Sequence, residues 1–445
     1  MPSYVAGVDL GSTSIKVLVA DRAGAEIAVH TVDTPWTMGP GGTASMREPD
    51  LAAALTEVVS AAARDLPAGA RLAAVAVAGM GETGFLLDAS GHALAPGLAW
   101  FDPRGVEQVR DLPAPLRDQF SGRTGLPWGV QVSAAKILYL RDQGVSLAGA
   151  RWVNLPEWAV VQLGGALVGE RSLMSRTGLL DQSTGQPWRE LLAYLGVDPG
   201  FLPDLVDAGT PLGRVTAPWA PDNCRGAALT VAGHDHLVAA LSGGIEPDTY
   251  HVSLGTAEVL LRVLDTPLTF DARRRLGDAL INCVRHVIPG QSVLVAGVKT
   301  GLLMRRILQL LGIEDQVARD ALDAQVVDLG ATRLADGAVE VRGARNDDGV
   351  LTLMVCADGV SPAELFLATL EHGNDEIRRL MAAMDGEVPP PRASVISGGW
   401  ASMQSVISVR SQVLPDLRLS ARRQETASGA ALFARQLITH QGESG

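Results

Sequence analysis

The chain has 445 residues, more than one typical domain holds, and its 37 basic against 49 acidic residues give a formal net charge of −12 with no basic run. That balance argues against nucleic acid and anionic membrane as main partners and for a globular enzyme whose core needs no staples. Three cysteines, Cys224, Cys283 and Cys356, stand far apart without CxxC spacing, which suggests neither a disulfide framework nor a zinc site and points to a reducing cytoplasm.

The chain enters a strand almost at once, with no basic and then apolar leader. No later apolar run reaches the roughly 18 residues of a membrane span, so neither export nor insertion is expected. Tyr4 to Val8 is β-prone, Gly11 permits a tight turn, and Ile15 to Val19 resumes as a second strand. This hairpin carries Asp9 just before a tip of Gly11, Ser12, Thr13 and Ser14. Glycine lets backbone N–H groups approach phosphate oxygens, the hydroxyls add donors, and a carboxylate there suits Mg²⁺, held directly or through water. A purely structural turn is the competing reading of the same residues.

Ala52 to Ala63 has helical composition after Glu48-Pro49-Asp50, and Leu72 to Ala78 is an apolar strand ending at Gly79. Gly81-Glu82-Thr83 and Trp100-Phe101-Asp102-Pro103-Arg104 then cluster polar groups where apolar stretches end, the usual ligand position in open α/β sheets. Glu82, Asp102 and Arg104 are candidates for sugar hydroxyls and Trp100 for a stacking ring. A proline turn with a surface ion pair accounts for Asp102 and Arg104 equally well. Helices are expected at Ser133 to Gln143, Glu157 to Leu163 and Trp188 to Leu195, and a strand at Ala228 to Ala232.

Gly233-His234-Asp235-His236 closes that strand and opens a helix from His236 to Ser242. At a strand end Asp235 is placed to take a proton from a substrate hydroxyl as general base, with His236 as a substrate contact. The alternatives are Asp235 as helix cap and His234 with His236 as metal ligands, for which no third ligand has obvious spacing. A domain boundary is expected near Ser242-Gly243-Gly244, dividing the chain into 1–241 and 242–445. The second half repeats the opening theme: strand Thr249 to Ser253, the turn Leu254-Gly255-Thr256, and a partner strand Val259 to Val263. A helix from Val298 to Leu311 and another from Ser361 to Met384 follow. Then come Pro389-Pro390-Pro391, a strand Ala393 to Ser397, Gly398-Gly399, and a helix ending before Pro415. Strand, glycine pair and helix N-terminus suit a nucleotide or another anion, with Gln404 as a polar contact one turn onward.

Taken in order, these segments resemble the FGGY carbohydrate kinase family, within the superfamily of actin, hexokinase and heat-shock protein 70. Gly7 to Lys16 resembles the first phosphate motif, and Gly79-Met80-Gly81-Glu82-Thr83 and Ala99 to Arg104 the substrate segments. Ala232-Gly233-His234-Asp235 resembles the segment of the catalytic base, and Val252-Ser253-Leu254-Gly255-Thr256 the second phosphate motif. Ser397-Gly398-Gly399 with Glu425-Thr426-Ala427-Ser428-Gly429-Ala430-Ala431 resembles the adenosine segment and the closing helix.

The resemblance implies an α/β fold of two actin-like ATPase (ribonuclease H-like) domains closing over a cleft, ATP and Mg²⁺ as cofactors, a small sugar or polyol as substrate, and commonly a homodimer. By it Asp235 is the general base and Asp9 places Mg²⁺. Gly11, Ser12, Thr13, Lys16, Gly255 and Thr256 surround the phosphates, with Lys299, Gly398, Gly399 and Gln404 completing the nucleotide site. Gly81, Glu82, Trp100, Asp102, Arg104, Gln131 and His236 face the acceptor. Glycerol kinases carry Arg where this chain has Gly81 and Tyr where it has Gln131; xylulokinases usually carry Met-His near Gly81-Glu82, and Asn or Gln is common at His236. A ketopentose such as xylulose is the first expected acceptor, and glycerol or a tetritol the next. The family's G-E-R-x-P segment is absent at Gly343-Ala344-Arg345-Asn346-Asp347-Asp348-Gly349. That absence motivates a second class of function, a catalytically weak sugar- or nucleotide-binding regulator, against which Asp9 and Asp235 both argue.

Overall fold

Alternation along the first strand, Ser3–Leu10, decides the packing of the N-terminal half. Ala6, Val8 and Leu10 point to one core, shared with Leu51, Leu55 and Val58 of helix Glu48–Arg64 and Trp158 of helix Leu155–Gln162. Val5 points to the other, shared with Ala427, Ala430, Ala431 and Ala434 of helix Glu425–Gly442. Gly7 lies on that second face because nothing larger fits: a Cβ there would sit 2.0 Å from the Ala427 carbonyl oxygen. Asp9 continues the same alternation at the strand's end. The computed structural model describes residues 3–244, 246–329, 337–343, 351–420 and 425–442.

The N-terminal sheet has five strands in the order Ala228–His234, Arg71–Gly79, Ser3–Leu10, Ser14–Ala20, Glu26–Asp33. The first three run parallel and the rest antiparallel. The C-terminal sheet has six: Asn282–Arg285, Ser292–Val298, Glu258–Leu264, Thr249–Leu254, Ala393–Ser397, Leu417–Leu419. Tyr250, Val252, Leu254 and Leu260 cover one core with helices Thr300–Leu310, Pro362–Asp385 and Gln404–Arg410. Val259, Leu261, Val293 and Val295 belong instead to the core that holds Phe120 and Trp188 of the N-terminal half. Each half is thus a sheet opened by a hairpin, and one apolar face joins them.

Several expectations shift. Helix Glu425–Gly442 packs on Ser3–Leu10, Arg71–Gly79 and helix Asp235–Ser242, so a cut at 241/242 assigns to the second half a helix that completes the first. The helix expected from Val298 begins at Thr300, because Ser292–Val298 is a strand, with Val293 and Val295 on one core and Leu294, Ala296 and Val298 on the other, and Lys299 at its exit. Strand Glu26–Asp33 is an addition to the expected elements; an edge with no residue fully buried, it splits its apolar contacts, Val29 on one core and Val32 on the other, and so shows no single apolar face. Helices Ala114–Thr124, Phe270–Asp278 and Gln316–Leu329 were missed likewise. Of the segment lacking G-E-R-x-P, residues 344–349 lie outside the described residues. Among the described residues no helix is long and apolar enough to cross a membrane.

Candidate active site

Parallel register brings three strand ends together. Asp9 pairs with Ala78, Leu10 with Gly79, and His234 with Gly79 from the far side, so Asp9, the Gly81-Glu82 turn and Asp235 leave the sheet side by side. The Asp9 carboxylate is buried and its Oδ1 has no hydrogen-bond partner. Burial, then the charge of Asp235, pushes its pKa up to about 7, with Lys16 opposite it on the hairpin pulling the other way. Asp235 is held lower than an ordinary aspartate: burial raises it, but His236, His234, the His236 N–H and Arg176 together prevail. It opens helix Asp235–Ser242, and its Oδ1 accepts the His236 N–H at 2.6 Å, so it lies in the helix's first turn and faces the site as well. His234 Nε2 lies 3.5 Å from the same oxygen, and burial drives that imidazole down to about 3, keeping it neutral.

The tip of the first hairpin is fixed from outside. The Thr34 hydroxyl donates to the Gly11 carbonyl at 2.6 Å, Trp36 Nε1 to the Ser12 carbonyl at 2.7 Å, and the Thr34 N–H to the Thr13 carbonyl at 3.1 Å. A Cβ on Gly11 would meet the Ser14 carbonyl oxygen at 2.9 Å.

On the acceptor side, Glu82 has φ of +61°, a left-handed conformation that a non-glycine residue adopts only when its surroundings impose it. Its carbonyl accepts the Ser133 hydroxyl at 2.8 Å, two residues beyond the half-buried Gln131. Its carboxylate, raised in pKa by burial and opposed by Arg176, forms an ion pair with that guanidinium. Gly81 is forced: a Cβ would lie 2.7 Å from His234 Cδ2 and 3.3 Å from Arg176 Cγ. Trp100 is half-buried, with its N–H on Thr83 Oγ1 at 3.0 Å and its ring edge-on to Phe101 at 5.4 Å.

Asp102 behaves differently from the reading that gave it to a sugar. It is 0% exposed, and its oxygens are taken by the Ala44 N–H at 2.7 Å, the Arg104 N–H at 2.8 Å and the Arg104 guanidinium at 2.5 to 3.0 Å. Its geometry clamps Arg104, whose side chain stays partly exposed. Beneath it Lys136, driven by burial down to about 8, donates to the Asp102 and Arg104 carbonyls.

The second hairpin is built on the same plan. Gly255 N–H donates to the Ala257 carbonyl at 2.9 Å, and the Leu302 N–H donates to the Thr256 carbonyl at 2.8 Å. Gly301 allows that approach, since its Cβ would lie 1.8 Å from the Gly255 carbonyl oxygen. Lys299 stands just before helix Thr300–Leu310, one residue after Val298, which pairs with Glu258. Gly398 has φ of +97° and a Cβ position 2.3 Å from the Leu254 carbonyl oxygen, so glycine is required where Ala393–Ser397 leaves the sheet beside the turn. The helix beyond is not open to an anion as expected. Asp323 of helix Gln316–Leu329 takes the Gln404 and Ser405 N–H groups, both at 2.8 Å, and leaves the Gln404 side chain exposed.

Two groups of residues escaped the sequence reading. Arg176 sits in the run Ser172 to Leu180 as a lone cation among apolar and small residues, which is the only signal it gives. Glu258 and Arg410, 152 positions apart and both 0% exposed, form a two-pronged ion pair at 2.8 and 2.9 Å under the second hairpin, and no local pattern links them.

The sequence profile of the FGGY family of carbohydrate kinases, N-terminal domain, matches residues 4–242. The chain belongs to that family. It is 30% identical over 257 residues to a xylulose kinase of Streptomyces coelicolor, a match covering 57% of this chain and 53% of that one. To a glycerol kinase of Aromatoleum aromaticum it is 28% identical, over 97% of this chain and 89% of the other. The chain thus spans about half the length of the first of these relatives and most of the second. The fold is shared with a ligand-bound xylulose kinase of Lactobacillus acidophilus, at a TM-score of 0.85 and 17% identity, covering 98% of this chain and 90% of that one. A gluconate kinase of the same organism superposes at 0.86 with 17% identity over 99% and 90%.

Proposed function

We propose that this protein transfers the γ-phosphoryl group of ATP to a hydroxyl of a small sugar or polyol, with a ketopentose such as xylulose as first candidate and glycerol or a tetritol next. The observation that carries this reading is the pair of carboxylates at neighbouring strand ends: Asp9, buried with an oxygen lacking any partner, and Asp235, held ionised. An orphaned buried carboxylate oxygen fits a cation, and Mg²⁺ characteristically takes one or two protein carboxylates together with phosphate oxygens. Asp9 would hold it, and bound there it would neutralise phosphate charge. The acceptor oxygen bonds to the γ-phosphorus as the bond from that phosphorus to the bridging oxygen of ADP breaks. The acceptor's proton passes to Asp235. Gly11, Ser12, Thr13 and Lys16 on one hairpin, Gly255 and Thr256 on the other, and Gly398 and Gly399 beside it would line the nucleotide's path. Gly81, Glu82, Trp100, Arg104, Gln131 and His236 would line the acceptor's, with Asp102 holding Arg104.

The test is ADP release screened over pentuloses, hexuloses, tetritols, glycerol and aldonates, repeated with Asp235→Asn. The variant should lose about 10²- to 10⁴-fold in acceptor-dependent rate while binding nucleotide normally. Turnover near the parent rate would remove Asp235 as the base. No turnover of the parent chain with any acceptor would favour a binding regulator on the same fold.

A further inference from the structure

Arg176 is a charged side chain near Asp235 that the reaction above does not use. Its place is well determined. Helix Arg171–Met174 is capped by Glu170, which accepts the Ser172 and Leu173 N–H groups at 2.9 and 3.0 Å. The Ser172 hydroxyl oxygen in turn accepts the His234 N–H at 3.1 Å, and the Arg176 N–H returns to the Leu173 carbonyl at 3.0 Å. The loop bearing Arg176 is therefore pinned to the strand that ends in Asp235.

The guanidinium itself is only 11% exposed. Nη2 pairs with Glu82, while Nε and Nη1 are buried and have no partner. Because the group is planar, those two idle N–H groups lie on either side of the nitrogen that Glu82 holds. Buried donors without acceptors are costly, so these two N–H groups call for an oxygen that the described residues do not supply. The Glu82 backbone is held in a left-handed conformation to present its carboxylate here, and the missing side chain at Gly81 leaves the space to Arg176 and His234.

We infer that Arg176, with Glu82, is the specificity-determining pair that reads a non-reacting hydroxyl of a neutral polyhydroxylated acceptor. A hydroxyl both accepts and donates, so it fits between an idle N–H of Arg176 and an oxygen of Glu82. A carboxylate accepts only, and it would meet Asp9, Glu82 and Asp235 around the same space. This assignment rests on the acceptor site proposed above and adds the chemical class of what enters it.

The experiment measures binding as well as turnover. Titration calorimetry of the full chain would compare glycerol with 1,2-propanediol, and D-xylulose with 1-deoxy-D-xylulose, with D-gluconate as the charged probe. Loss of one hydroxyl should weaken binding at least about tenfold for the preferred pair. In Arg176→Met that ratio should fall to near one while KM for ATP stays within about twofold. Arg176→Lys, which keeps the charge on a different geometry, should also lower the ratio and serves if the methionine variant does not fold. An unchanged ratio in either folded variant would overturn the assignment. So would tighter binding of gluconate than of the neutral probes, or no binding of any probe. Deoxy discrimination without turnover would sustain it and count against the phosphoryl transfer.

Discussion

The two hairpins have nearly the same turn, Leu10-Gly11-Ser12 in one and Leu254-Gly255-Thr256 in the other, and each has a carboxylate within three residues of its glycine. What surrounds those carboxylates differs completely. Asp9 precedes its turn and keeps an oxygen without a partner. Glu258 follows its turn and has every oxygen occupied: Arg410 grips both, and the Thr300 hydroxyl adds a bond at 2.6 Å. Arg410 is itself tied at 2.9 and 2.7 Å to the Leu370 carbonyl and Asn374 Oδ1, and so binds helices Pro362–Asp385 and Gln404–Arg410 to the hairpin. A buried charge that is satisfied builds the scaffold, and one left unsatisfied beside a strand end is a candidate to hold a ligand.

The largest expected effect tests the satisfied side. Arg410→Met leaves Glu258 buried with no cation and only the Thr300 hydroxyl as partner, and loss of one partner from such a pair costs about 3–5 kcal/mol. The unfolding midpoint in urea should fall accordingly; a variant as stable as the parent would mean that the pair does not hold the second hairpin. Next, Asp9→Asn replaces a buried carboxyl whose ionisation burial and Asp235 disfavour, so stability should stay level or rise. The Mg²⁺ concentration for half-maximal rate should meanwhile rise about 10- to 100-fold. A stability loss comparable to that of Arg410→Met would make Asp9 a scaffold residue too.

The smallest effect concerns His251 on the second hairpin, for which the first has no counterpart. Burial, helped by His236, drives its imidazole down to about 4, below the ordinary 6.5. Its contribution is therefore whole above pH 6.5 and drains away as pH falls toward 4, because the unfolded chain binds a proton that the folded one refuses. One such group changes stability by at most about 1.4 kcal/mol per pH unit. The unfolding midpoints of parent and His251→Gln should converge between pH 7 and pH 5; parallel curves would remove His251 from that slope.

Local chemistry made much of this legible. Glycine-bearing turns after apolar strands located both hairpins, and the strand Ala228–His234 with the helix behind it located Asp235. What could not be read locally depends on partners distant in sequence. Arg410 with Glu258, Asp323 on the Gln404 N–H, and Arg176 with Glu82 are each fixed by tertiary approach, which no spacing encodes. Asp102 shows the converse: its polar neighbourhood suggested a ligand, but the neighbours themselves consume both of its oxygens.

The helix Glu425–Gly442 has a consequence for how the chain is made. Its alanine face covers the strand that begins at Ser3, so a strand made early is sheltered by a helix made long after it. Folding during synthesis can assemble much of the first sheet but not finish it, and Val5, Ala74 and Ala76 wait for their cover until the helix Glu425–Gly442 emerges. A chain released before Glu425 would display that apolar face to chaperones and proteases, so shelter of the first sheet depends on synthesis reaching that helix.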